Sequence, residues 1–156
     1  MTPLDVLGVR VELPTNQPIV LLRERGGERH LPIWIGAAEA TAIAYAQQGV
    51  TPPRPLTHDL LINVVEALGN RLATVRIDRI EDGVYYASLI MADGIEIDSR
   101  ASDAIALALR CGAEVVTDEA VLASSGVMLP EETNDEVEKF KEFLDHVSPE
   151  DFEKEA

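Results

Sequence analysis

Three carboxylates, Glu39, Asp59 and Asp103, stand out as groups that could share a charged ligand. His58 adjoins Asp59, and Arg100 stands three residues before Asp103. Arg54 is held between Pro53 and Pro55, so its backbone is stiffened before any ligand arrives. Carboxylate oxygens suit a hard divalent cation. Arginine suits bidentate contact with phosphate, and an imidazole exchanges protons near neutrality. The set could therefore hold a divalent cation and a phosphate. Each acid also falls in the first turn of an expected helix, where the helix dipole alone favours a negative charge. Thr57-His58-Asp59 is no catalytic triad, because adjacent residues diverge around a helix and cannot relay one proton.

The surrounding elements follow from periodicity. Leu4 to Leu13 alternates apolar and polar residues, Ile19 to Arg23 restarts a strand, and Arg29 to Ile35 returns after Gly26-Gly27. Gly36 can cap a small-residue helix that Gly49 stops. Thr51 to Pro55 should be extended, and Thr57 should cap a second helix whose apolar stripe of Leu60, Leu61, Val64, Val65 and Leu68 should be buried. Leu72 to Ile80, Val84 to Met91 and Ile95 to Ile97 are three further strands, followed by a helix from about Ala101 to Arg110. A short strand, Glu114 to Thr117, and a short helix from Thr117 to Gly126 come next.

Glu39-Ala40-Thr41-Ala42-Ile43-Ala44 returns as Asp103-Ala104-Ile105-Ala106-Leu107-Ala108, 64 residues on. Each copy follows a hairpin and a further strand. The expected fold is α+β, a single domain built from a duplicated β-β-β-α unit with a pseudo-twofold axis. The body should span residues 1–130. Residues 131–156 should form an acidic helix and tail, with Val137, Phe140, Leu144 and Val147 as a narrow apolar seam.

The chain of 156 residues carries a net charge of -15. Glu131 to Ala156 hold 11 acids against 3 lysines, and the remainder holds 17 acids against 10 arginines. An acidic body repels polyanions over distance, which argues against a nonspecific nucleic-acid coat protein but not against a local phosphate site. Cys111 is the only cysteine, so no internal disulfide forms. No apolar run approaches membrane-spanning length, and no basic leader precedes an apolar core, so a cytoplasmic protein is expected. Phosphate-loop, dinucleotide-fingerprint, HExxH, paired-cysteine zinc and GxSxG patterns are all absent.

Three motifs in order carry a family resemblance: Leu31-Pro32-Ile33-Trp34-Ile35-Gly36 with Glu39-Ala40, then Arg54-Pro55-Leu56-Thr57-His58-Asp59-Leu60, then Asp98-Ser99-Arg100-Ala101-Ser102-Asp103-Ala104-Ile105-Ala106. From about Val6 to Val127 the chain resembles the bifunctional nuclease domain family, and its acidic C-terminus resembles that of actinobacterial members. Ala101 departs from the proline usual there. Proline suits a first helical position, so the helix start should loosen slightly.

The resemblance implies DNase and RNase activity, with DNA and RNA as substrates, no membrane partner and a duplicated α+β fold. Within the motifs, the chemistry of the side chains makes Glu39, His58, Asp59 and Asp103 the catalytic candidates. Glu39, Asp59 and Asp103 would ligate Mg²⁺ or Mn²⁺. Arg54, Thr57, Arg100 and Ser102 would hold the substrate, and His58 would give a proton to the leaving oxygen. Asn at Asp59 or Asp103 should then lower turnover without disturbing the fold. A homodimer is expected, since small-residue helices and sheet edges leave surface to pair. The competing reading is a non-catalytic regulatory or interaction module that binds a partner or small anion.

Overall fold

The computed structural model describes residues 1–129. The alternating N-terminal segment forms β1 (Thr2–Glu12), followed by β2 (Gln17–Glu24) and β3 (Arg29–Trp34). Helix α1 (Ala37–Gln48) starts at Gly36 and stops at Gly49, which takes a left-handed conformation with φ of 67°. Helix α2 (Thr57–Ala67) leads to β4 (Leu72–Glu81), β5 (Val84–Met91) and β6 (Glu96–Arg100). Helix α3 (Ala101–Cys111) ends on Gly112, also left-handed at φ of 75°. Both stops need the conformational freedom of glycine. The described chain closes with β7 (Glu114–Thr117), α4 (Glu119–Ser125) and a two-residue strand, β8 (Val127–Met128), that periodicity does not reveal.

Eight strands make one mixed sheet in the order β6-β5-β4-β7-β1-β2-β3-β8. Each three-strand meander is antiparallel throughout. Strand β7 joins the two meanders, antiparallel to β1 and parallel to β4. The order β-β-β-α thus occurs twice, within an α+β domain. The expected acidic helix and its seam of Val137, Phe140, Leu144 and Val147 lie outside the described residues.

Helix α3 is the central helix. Ala101, Ala104, Ile105, Ala106, Leu107 and Ala108 are all buried, and small side chains let α1 approach it closely. Ile43 of α1 and Leu22, Leu31, Val75 and Ile77 of the sheet complete the inner core.

Two local expectations need correction. Leu56, not Thr57, occupies the N-cap of α2; Thr57 is its first helical residue. The chain also bends at Pro53-Arg54 instead of running straight through. The larger correction concerns the α2 stripe. Leu60, Val64 and Leu68 face outward, with Leu68 81% exposed, Leu61 is also exposed, and Ile62 is the buried residue. The helix is turned so that His58, Ile62 and Val65, at i, i+4 and i+7, look inward. The physical reason is polar: His58 and Asp59 both bond to α3 and fix the rotation of the first turn.

Candidate functional site

Glu39, Asp59 and Asp103 each occupy the third position of a helix, counted from the N-caps Gly36, Leu56 and Arg100. The same position has three outcomes. Asp59 caps: its Oδ2 accepts the backbone N–H of Leu56 at 3.0 Å. Its Oδ1 accepts Nε of Arg110 at 2.8 Å. Glu39 folds back on its own helix start, and its Oε1 accepts Nη1 of Arg100 at 2.9 Å. Asp103 turns to other side chains. Its Oδ1 meets Nε2 of His58 at 3.0 Å, and Arg100 grips both oxygens, Nε to Oδ2 at 2.8 Å and Nη2 to Oδ1 at 3.0 Å.

The result is a connected line, Glu39–Arg100–Asp103–His58, across the N-termini of α1, α2 and α3. Burial pushes the Asp103 carboxyl up, but Arg100 and His58 outweigh it and hold its pKa below the ordinary aspartate value. The backbone N–H of Glu39 itself, then Arg100, hold the Glu39 carboxyl below the usual glutamate value. Asp103 and then Glu39 push the Arg100 guanidinium up. Both acids are therefore held as anions and Arg100 as a cation. A guanidinium carries five N–H donors, and three bonds are spent within the line. The side chain is 64% exposed, which leaves donors for a ligand.

Gly36 has a steric role here. A Cβ built on it would lie 2.3 Å from Oε2 of Glu39, so the carboxylate occupies the space a side chain would take. Beside the line opens a cleft of about 780 Å³ between α2 and strands β4 to β6. Glu39, Thr57, His58, Arg100 and Asp103 stand on its lining, and Leu61, Ile62, Val65, Leu89 and Ile97 give it aliphatic walls.

Five of the eight candidates thus share one cleft: Glu39, Thr57, His58, Arg100 and Asp103. Ser102 is buried behind them and lines a second, smaller cleft. Arg54 is exposed and on the lining of neither. Asp59 serves a clamp that sequence reading missed. Arg110, only 9% exposed, bonds Asp59, the Ala106 carbonyl at 2.8 Å and the Ala42 carbonyl at 3.1 Å. It ties the three helices together. As a basic residue in the last turn of α3, it reads in sequence as dipole compensation.

The donor set does not fit the three-carboxylate cation site expected from sequence. Asp59 is committed to Arg110 and the Leu56 amide, while Glu39 and Asp103 are already bridged by a guanidinium. Among the described residues, no group of three or more His, Cys, Asp or Glu is placed to hold a metal ion. The cationic partner built into the site is Arg100.

No helix among the described residues is long and apolar enough to cross a membrane. Comparison with known proteins now gives the arrangement a family. The chain is 53% identical to an uncharacterized protein of Mycobacterium tuberculosis over 161 aligned residues, covering 97% of this chain and 98% of that one. It is 27% identical to Bifunctional nuclease 1 of Oryza sativa subsp. japonica, covering 84% of this chain and 41% of the rice protein. It is also 27% identical to Bifunctional nuclease 2 of Arabidopsis thaliana, covering 74% of this chain and 38% of that protein. The bifunctional nuclease domain profile matches residues 20–130, a span that includes every residue of the Glu39–Arg100–Asp103–His58 line; the chain belongs to the bifunctional nuclease domain family.

Proposed function

We propose that the protein hydrolyses phosphodiester bonds in DNA and RNA, with His58, Asp103 and Arg100 as the working residues. The observation that carries this is the Asp103 carboxylate, which bonds a histidine and an arginine at once on the lining of a cleft. The plant relatives named bifunctional nucleases support it.

In this reading the free donors of Arg100 bind the phosphoryl oxygens and stabilise the charge that builds as water attacks phosphorus and gives up its proton to bulk solvent, the P–O bond to the leaving oxygen breaking in the same step. Asp103 bonds Nε2 of His58 and fixes the ring, so that Nδ1–H delivers a proton to the leaving oxygen. Thr57, at the start of α2, offers a hydroxyl on the same rim. Glu39, held anionic, is a weak base; it positions Arg100. Asp59 leaves the chemistry and becomes structural. No step is assigned to a metal.

The test is cleavage of single- and double-stranded substrates by highly purified protein, with Asp103→Asn and His58→Ala as controls. Loss of more than about tenfold in turnover, roughly 1.4 kcal/mol in the barrier, is expected for each. Unchanged cleavage in both variants rejects the assignment.

The outward apolar face of α2 supports one further part of the proposal, a homodimer in which that face meets a second copy. It replaces the small-residue helices as the reason, because α1 and α3 already pack on each other. We assign the protein to the cytoplasm on the lone thiol of Cys111.

A further inference from the structure

Arg100 stands between two clefts. It lines the aliphatic one of about 780 Å³ beside His58, and also a smaller one of about 240 Å³ with Trp34 on its lining. Glu39 is likewise common to both. The smaller cleft is bordered by Trp34 at the end of β3, by Val84 and Tyr85 beside the β4–β5 turn, and by Ser102. Trp34 is unusual for a tryptophan. The residue is 53% exposed, although indole is among the costliest surfaces to leave in water. It is also fixed, since Nε1 donates to Oε2 of Glu12 at 2.8 Å. An exposed ring with its one polar atom already bonded offers a face for stacking.

We infer that Trp34 is a base-stacking subsite for an unpaired nucleotide, in the cleft that shares Arg100 with the aliphatic one. This rests on the nuclease reading above. A phosphate seated on Arg100 would place one neighbouring nucleotide towards Trp34 and the other in the aliphatic cleft. Bases reach two separate clefts only when they are free of a duplex partner. The preferred substrate is therefore single-stranded. Stacking on an indole face tolerates every base and does not require a 2′-hydroxyl, so DNA and RNA strands both suit it.

Trp34 is the only tryptophan in the chain, so its fluorescence reports the subsite directly. The experiment titrates the full chain with phosphorothioate-linked oligothymidylate, with oligouridylate and with a duplex of equal length. Saturable quenching by both single strands, with at least about tenfold weaker binding of the duplex, is expected. Trp34→Ala should weaken single-strand binding, measured by calorimetry, about tenfold and raise KM with little change in kcat, and Trp34→Phe should restore most of it. Cleavage by the wild type with no fluorescence change, or with equal KM in Trp34→Ala, overturns the subsite and leaves the nuclease reading standing. Quenching and saturable binding without any hydrolysis supports the subsite and removes the nuclease. Equal quenching by the duplex overturns the single-strand preference.

Discussion

Asp59→Asn and Asp103→Asn should fail in opposite ways, although both acids open a helix at the same position. The Asp59 side chain is 28% exposed and its partner Arg110 only 9%. Removing the charge from Asp59 leaves a guanidinium in a poorly solvated place with two carbonyls and a weaker amide acceptor. Breaking a buried pair from one side costs about 3–5 kcal/mol. Asp59 is partly hydrated and asparagine keeps one acceptor oxygen, so about 2 kcal/mol is the figure expected here. For a domain of this size that lowers Tm by roughly 4–8 °C. Burial raises the Asp59 pKa, but the Leu56 amide and Arg110 outweigh it, so its folded pKa lies below the ordinary value of 3.8. A depressed carboxyl contributes its stability above the unfolded pKa and loses it as pH falls through the folded one. The Tm gap between wild type and Asp59→Asn should therefore be full at pH 7, narrow below about pH 4 and close at still lower pH. Asp103→Asn, whose arginine partner is largely exposed, should melt close to wild type and lose turnover instead. The assay is calorimetric Tm at several pH values beside single-turnover cleavage. An Asp59→Asn protein that melts like wild type but cleaves more than tenfold more slowly would refute the clamp and return Asp59 to the chemistry.

Other expected outcomes follow from the same geometry. His58→Ala should flatten the pH–rate profile without a large change in Tm; a retained bell shape would assign the titration to another group. Gly36→Ala puts a methyl group where the Glu39 carboxylate sits, so it should raise KM several-fold through a loosened Arg100 while Tm moves little. Arg54→Ala should leave KM unchanged, because the residue lies off the cleft lining; a large rise would place Arg54 on the substrate path. Light scattering at micromolar concentration should show a dimer that Leu68→Asp dissociates, and a wild-type monomer would end the α2 pairing. Cleavage should persist in chelator, since Arg100 already bridges Glu39 and Asp103; abolition by chelator with recovery on added Mg²⁺ or Mn²⁺ would show that a cation displaces that bridge.

Much of the fold is legible because the signals that set it are local. Strand alternation and the glycine stops at Gly49 and Gly112 act within a few residues. The orientation of α2 is not legible. Its five-residue stripe gives a strong helical period, but period alone does not say what covers a face. Two polar bonds at its first turn, from His58 and Asp59 to α3, outrank the stripe and turn it to solvent. Strand β8 escapes notice for a related reason, as a two-residue pairing with Arg29 and His30 has no period of its own.

The site shows the same limit more sharply. Sequence identifies three acids at helix starts and gives each the same two readings, a cap or a chemical group. What separates them is the partner each finds on another element. Asp59 meets Arg110, 51 residues away, and Asp103 meets His58, 45 residues away. Glu39 meets Arg100, 61 residues away. Three acids at one helical position thus acquire three different sets of partners, Asp103 alone drawing its arginine from its own helix start. An acid whose carboxylate takes the backbone amide at its own helix start satisfies the helix and is spent. Asp103 takes no such bond and faces a histidine and an arginine instead. Where each lone pair is used depends on the packed helices as well as on near neighbours: the Leu56 amide and Arg100 are local partners, whereas Arg110 and His58 are supplied by another helix.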